Sequence, residues 1–318
     1  MRAIDTKRIL GRYEGAERGP LYICIGAMHG NEPAGVRAID LVLKMLEVEP
    51  IRNPGFVFRG RLIGLVGNRR AYESGVRFIS RDLNRSFDAE ALVRIRNSPL
   101  ENLNSEDLEF LELTDVISAE IRDYKPERIV LLDLHTTSSH GGIFTICRDI
   151  GRDIELGAAI HAPIVLGILA GLKGTTLHYF ISDNLGIDTI PITFESGQHE
   201  EGMAVNRAVA GIISCMKAIG CVKPEDVENH HEKILIEYGE KLPRVTTLVR
   251  HHTISEGDGF EMALGYSNFQ PIASGEEVAK DNNGPIIVKE EGTRILMPLY
   301  QKQGDDGFFL VKETNVEL

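Results

Sequence analysis

A chain of 318 residues, 42% hydrophobic and 26% charged, can bury a sizeable core and has room for one large α/β domain with a smaller companion. Its 35 Lys and Arg against 47 Asp and Glu give a formal charge of -12, which disfavours unguided binding to nucleic acid or an anionic membrane. No apolar run reaches the ~18 to 20 residues of a membrane span, the N-terminal MRAIDTKRIL lacks a signal peptide's apolar core, and Cys24, Cys147, Cys215 and Cys221 form no CxxC pair; a soluble cytoplasmic protein with buried, reduced thiols is expected.

Residues Thr6 to Arg18 read as an opening strand or loop. LYICIGAM, Leu21 to Met28, is an apolar run that predicts a buried strand, and GAMHGNEPAG, Gly26 to Gly35, then sets His29 and Glu32 three residues apart in the following turn. Pro33 suits a first helical turn, and Val36, Ile39, Leu43 and Leu46 recur at helical spacing. After Pro54 and Gly55, FVFRGRLIGLVGN predicts a second strand finishing near Val66 and Asn68. From Arg69 to Asp88 the pattern gives way to a polar, arginine-rich loop. A loop that long is usually functional or disordered, and its Tyr72, Phe78, Ile79, Leu83 and Phe87 argue for an ordered one.

Ser105 can cap a helix running to Arg122, with Leu108, Leu111, Val116 and Ile117 as its apolar face. ERIVLLDLH reads as a buried parallel strand ending at Asp133 and His135. The strand GIFTICR, a short helix near Ile154 to Ile160, a glycine-rich stretch from Gly167 to Gly174 and the strand TIPITFE, ending at Glu195, follow. A helix from Met203 to Ile219 would bury Val205, Val209, Ile212 and Met216. Beyond Pro224 a charged helix, Glu225 to Tyr238, leads into VTTLVRHHTIS, IIVKEE and GFFLVKE, which read as short antiparallel strands. The expected architecture is therefore α/β, a mainly parallel mixed sheet flanked by helices, with a smaller C-terminal β domain, divided as residues 1–236 and 237–318.

Three strand ends thus converge on the carboxyl edge of the sheet, where open α/β folds bind ligands: His29 with Glu32, His135, and Glu195. Two imidazoles and a carboxylate form a three-ligand set of the kind that holds a hydrolytic zinc ion. Glu195, at its own strand end in FESG, suits a base that is not a ligand, although a carboxylate interacting with the next helix's dipole is an equal reading. Gly197 would let a substrate approach closely. Arg77, Arg81, Asn84 and Arg85 in the loop suit an anionic group, since arginine grips a carboxylate with a planar fork. Asp133 lies two residues before His135 on a strand, hence on the same side, either supporting that histidine or as a buried, satisfied acid. His140 reads as a solvated loop residue, and the pairs His230/His231 and His251/His252 are expected on the surface.

In this order, GAMHGNEPAG, RFISRDLNRSF, DLHTTSS and FESG resemble the succinylglutamate desuccinylase/aspartoacylase family, across most of the first 220 or so residues. The resemblance implies a zinc carboxypeptidase-like fold and one Zn2+ per chain held by His29, Glu32 and His135. It implies that Glu195 activates the attacking water and later protonates the departing amine, and that Arg77 helps stabilise the oxyanion. Asn84 and Arg85 would bind the carboxylate of the amino-acid half, and Asp82 would orient a zinc histidine. Arg81 either joins the substrate pocket or pairs with a neighbouring acid. Ten residues before Glu195, where N-acetylaspartate hydrolases carry a substrate-binding arginine, this chain has Leu185; a cation for a succinyl group is equally unassigned, with Lys173 one candidate.

The expectation is a cytoplasmic zinc-dependent deacylase that cleaves the amide of an N-acylated amino acid or similar small carboxylate, without nucleic-acid or membrane partners. The resemblance is compatible with a homo-oligomer. The alternatives are a metallocarboxypeptidase acting on short peptides and a non-catalytic zinc- or carboxylate-binding protein. A His2Glu set would also accept manganese, cobalt or nickel in vitro.

Overall fold

Strand β2 (Glu17–Gly26) is the axis of the molecule. Its residues 21–25 are fully buried and alternate between two cores: Tyr22 and Cys24 face one, Leu21, Ile23 and Ile25 the other. A strand covered on both faces needs apolar residues at every position, which is why its sequence shows no alternation. The computed structural model describes residues 7–227 and 230–316. Thr6, at the start of the expected opening segment, and residues 228–229, inside the helix expected over Glu225 to Tyr238, lie outside them.

β1 (Ile9–Glu14) and β3 (Arg59–Val66) lie to one side of β2; β4 (Arg128–Thr137) and β7 (Asp188–Gln198) lie to the other. β3, β2, β4 and β7 are mutually parallel, and β1 is an antiparallel edge. The sheet continues through β5 (Phe144–Ile146), antiparallel to β7, then β6 (Ile164–Leu166) and β8 (Val245–Thr253), each parallel to its predecessor. β9 (Glu261–Met262), β11 (Glu277–Asp281) and β12 (Gly284–Ile287) form a separate antiparallel sheet; β10 (Gln270–Ile272), β13 (Thr293–Leu296) and β14 (Asp306–Glu313) complete the main one. The order is β1-β3-β2-β4-β7-β5-β6-β8-β14-β13-β10. VTTLVRHHTIS thus departs from the expected all-antiparallel pairing. β8 docks in parallel on the three-residue strand β6, whose brevity hides it in the sequence.

Helices α1 (Ala34–Arg52), α2 (Arg69–Ser74), α3 (Ala89–Asn97) and α4 (Ser105–Tyr124) belong to the first half. α5 (Gly151–Ala159), the one-turn helices α6 (Ile168–Gly171), α7 (Thr176–Tyr179) and α8 (Ser182–Leu185), then α9 (Ala204–Ala218) and α10 (His230–Gly239) follow. α1 and α9 share one core, through Ile39, Val42, Leu43, Val209, Ile212 and Met216; α4 covers the opposite face with Phe110, Leu113 and Ile117. Each fully buried aliphatic side chain contributes ~1.5 to 3 kcal/mol, so these two layers stabilise the sheet from both faces.

One local expectation changes: α4 is capped by Asn104, which accepts from Asp107 N while Asp107 returns the bond, and not by Ser105. Its inward face also carries buried carboxylates, Glu106 and Glu109. The four cysteines are free and buried. No described helix is long and apolar enough to cross a membrane.

Candidate active site

The turn after β2 works by close approach. A Cβ on Gly26 would lie 2.5 Å from Val36 N, and one on Gly30 would lie 2.1 Å from the Ala71 carbonyl carbon, so neither position admits a side chain. Ala27 takes a left-handed backbone, φ 54, and its carbonyl is held by Asn68 N at 2.8 Å. The chain therefore leaves the strand sharply, and His29 and Glu32 project from its end, both buried.

Parallel register brings the other strand ends alongside. His135 on β4 pairs with Glu195 on β7, and Gly26 pairs with Leu134. His29 Nδ1 is 2.8 Å from Glu32 Oε1, and His135 Nδ1 is 3.1 Å from Glu32 Oε2. Thr136 N also donates to Glu32 Oε2, at 3.0 Å. One ligand atom from each of His29, Glu32 and His135 falls within 4.8 Å of the others, a spacing that a single metal ion can bridge. Each imidazole turns its far nitrogen to an aspartate: His29 Nε2 is 3.3 Å from Asp82 Oδ1, and His135 Nε2 is 3.0 Å from Asp133 Oδ2. The second contact is off-line and makes no hydrogen bond; Asp133 Oδ2 instead accepts from Thr176 Oγ1 at 2.7 Å. The carboxylate behind His29 fixes its orientation, and a carboxylate beside each histidine raises its basicity.

Charge follows this packing. Burial opposes ionisation of Glu32, but the two imidazoles outweigh it and hold its carboxyl well below the usual range. Burial likewise opposes a charged His135, and Asp133 and Glu32 outweigh it, raising its pKa. Glu195 has no such partner: burial pushes it up to about 8, Glu32 and Asp133 add to the shift, and His135 and Arg77 oppose it. Its Oε2 is buried and unpaired, a costly arrangement for a carboxylate.

The arginine loop packs against α4. Arg77 donates to Asp82 Oδ2 at 3.0 Å and to Glu32 Oε1 at 3.5 Å, and lines the cavity beside Asn84 and Arg85. Asp82 also caps the turn Leu83–Arg85 by accepting from Asn84 N at 2.8 Å. Arg85 is ion-paired with Asp306, whose other oxygen is 2.7 Å from His251 Nε2. Arg81 turns away: it pairs with Asp107 at the start of α4 and is not among the residues lining the cavity. Of the two readings for Arg81, the structure shows the pairing.

Other residues land elsewhere than the sequence suggests. Gly197, φ 122, backs onto Glu201 and Arg207 and not onto the cavity, so backbone geometry accounts for it. Leu185 packs with Ile187 on the core under α4, and exposed Lys173 lies outside the cavity lining. His140 is exposed, as read. His231 is buried rather than on the surface; His251 is half-buried against Asp306 and stacks on Phe309, and His252 stacks on Phe260 and Phe308. Asp306, Phe308 and Phe309 come from β14, a distant strand that spacing along the chain cannot register.

Sequence reasoning also missed His199, Gln301, Gln303 and Glu106. His199 lines the cavity with its Nδ1 2.7 Å from Thr136 Oγ1 and its Nε2 3.2 Å from Gln301 Oε1; burial lowers its pKa. Gln303 accepts from Arg77 N at 3.1 Å and donates to Phe78 O at 3.2 Å. Buried Glu106 accepts from three successive amides, Ile79 N, Ser80 N and Arg81 N, at 2.8, 2.9 and 3.3 Å, and so shapes the segment between Arg77 and Asp82. His199, four residues after Glu195, was the one with a signal in the sequence.

The succinylglutamate desuccinylase/aspartoacylase catalytic domain matches residues 18–217, well over half of the 318 residues. The chain belongs to this family. It is 35% identical over 123 residues to a probable aspartoacylase of Nostoc, covering 38% of this chain and 37% of that protein. It is 34% identical over 183 residues to the aspartoacylase of Xenopus tropicalis, covering 56% and 54%. The alignments thus span about half or less of these relatives' length. The crystal structure of the Vibrio cholerae succinylglutamate desuccinylase superposes with a TM-score of 0.64 at 18% identity, over 95% of this chain and 84% of that one, and shares the fold. Within the family match lie His29, Glu32, Arg77, Asn84, Arg85, His135 and Glu195; Gln301, Gln303 and Asp306 lie beyond it. The desuccinylase/aspartoacylase domain here is therefore closed on one side by its own C-terminal segment.

Proposed function

We propose that the protein is a zinc-dependent deacylase that hydrolyses the amide of a small N-acylated amino acid, acting in the cytoplasm. The observation that carries this reading is the unpaired, buried Glu195 carboxylate one strand from the His29–Glu32–His135 cluster. Binding alone requires no such group, and a buried acid with a raised pKa is suited to proton transfer. The donor set fits zinc: two imidazole nitrogens and one carboxylate, buried and close enough to share an ion, with a carboxylate behind each histidine. Such an ion supplies Lewis acidity to the scissile carbonyl and to the attacking water.

The chain's own residues divide the remaining work. Asn84 and Arg85 hold the free carboxylate, and Arg77 faces the oxygen on which negative charge develops. Glu195 accepts the proton lost by the attacking water. As the carbon–nitrogen bond breaks, it returns that proton to the leaving amine. Asp82 keeps the His29 imidazole oriented and aligns Arg77, and Asp133 favours the charge on His135.

The test is metal content with turnover. Purified protein should carry one zinc per chain and hydrolyse an N-acetyl amino acid, and His135→Ala should lose both. Full activity in a His135→Ala protein free of metal would sink the reading.

A further inference from the structure

The cavity in front of Glu195 has unlike sides. Ile146, Ile168, Leu169, Leu172, Leu177 and Phe309 form an apolar wall. Ile146, Ile168, Leu177 and Phe309 belong to one buried cluster, and Leu169 and Leu172 pack against it, so the wall is the open end of a hydrophobic core. It stands beside the carboxylate clamp. Phe87 N donates to Gly174 O at 2.9 Å and Thr176 N to Asn84 Oδ1 at 3.0 Å, which fastens residues 172–177 to the turn bearing Asn84 and Arg85. It also reaches the base: Ile146 pairs in register with Thr193, two residues before Glu195 on the same face of β7.

The cavity has no cation to spare. Among the residues lining it, the cations are Arg77 and Arg85; the first is engaged by Asp82 and Glu32, and the second, paired with Asp306, is the one that serves the free carboxylate. Asp306 is shared with His251. The opposite side offers Thr136, Ser138, His199 and Gln301, which are polar but present no ammonium or guanidinium for a second carboxylate.

We infer that this site selects N-acyl amino acids with a short neutral acyl group and an aliphatic side chain of about the size of valine, leucine or methionine. The inference rests on the deacylase reading above. A side chain leaves the same carbon as the carboxylate held at Asn84 and Arg85, so it falls on the wall that adjoins them. An acidic side chain there would lose its water without gaining a partner. The acyl group then faces Thr136, Ser138, His199 and Gln301, polar groups that a long alkyl chain would bury without a partner.

The experiment compares kcat/KM of the zinc-loaded full chain on N-acetyl-leucine, N-acetyl-aspartate, N-succinyl-glutamate, Nα-acetyl-lysine and N-octanoyl-glycine. N-acetyl-leucine should lead each of the others at least tenfold. A lead for either acidic substrate, for the lysine derivative or for the octanoyl chain overturns the assignment. Leu172→Arg, at a half-buried position that lets a long side chain reach solvent, should cut the leucine rate at least tenfold and raise the aspartate rate. Leu172→Ala, which changes no charge, should lower the leucine preference severalfold. An unchanged preference in both variants overturns the placement on the wall. Should no acyl amino acid be hydrolysed, the deacylase reading fails, and calorimetric binding of free leucine against free aspartate decides the pocket: tighter leucine supports it, tighter aspartate overturns it.

Discussion

At the scale of single residues, the decisive contrast is between two buried glutamates. Glu32 is surrounded by donors, two imidazoles and the Thr136 amide, and is stabilised as a carboxylate. Glu195 is buried without them and is pushed up to about 8, against ~4.3 for a glutamate in an unfolded chain. Between those values the metal-free folded protein holds a proton that the unfolded chain has released, so this group costs stability progressively as pH rises towards 8. Chelated wild type and Glu195→Gln should therefore unfold at similar urea concentrations near pH 4.5, with the variant increasingly the more stable towards pH 8. A stability gap that stays constant over that range would show that Glu195 is not strained by burial. His29, Glu32, His135 and Glu195 were legible because each follows an apolar run that must be a buried strand, so the residue after the run has to sit at a sheet edge. The pairing of Arg85 with Asp306 was not legible, because nothing local marks an aspartate 221 residues away as a partner.

At the scale of elements, the site is held by packing between backbone segments as much as by side-chain chemistry. The turn Gly26 to Gly35 is legible as a turn, but the reason for its glycines appears only in three dimensions, where Val36 and Ala71 occupy the space a Cβ would need. The arginine loop is ordered, as its buried Leu83 and Phe87 suggested. It contains one short helix and one 3-10 turn where the sequence shows only broken periodicity. What orders it is Glu106 on α4. Acids at helical spacing normally mark a solvent face, and here they are buried because the loop offers them amides and guanidinium groups. Glu106→Ala would leave three amides without their acceptor. At ~1.5 to 3 kcal/mol for a hydrogen bond to a charged group, partly regained from water, a loss of about 3 kcal/mol is expected. Urea denaturation measures it; a change below ~0.5 kcal/mol would mean that the loop holds its shape without Glu106.

At the scale of the whole molecule, the parallel half of the sheet carries the His29–Glu32–His135 cluster and Glu195, and its antiparallel continuation supplies enclosure. β8 and β14 extend the same sheet, and the connection between β13 and β14 brings Leu299, Gln301 and Gly304 over the cavity, with Asp306 at the start of β14. This arrangement was half legible. GFFLVKE reads as a strand because aromatic and branched residues cluster there, but its place between β8 and β13 in an eleven-stranded sheet depends on pairings between distant segments. Phe309 on β14 completes an apolar wall whose other members, Ile146, Ile168, Leu169, Leu172 and Leu177, lie within the family match.

The central claim is that Glu195 transfers protons beside a metal it does not hold. The measurement that tests it most directly is zinc content together with kcat for Glu195→Gln on the best N-acetyl amino acid. The predicted result is one zinc per chain, as in the wild type, with kcat lowered by about 10² to 10⁴, the usual contribution of a general base. Turnover within a few-fold of wild type, or loss of the metal along with the activity, would contradict it.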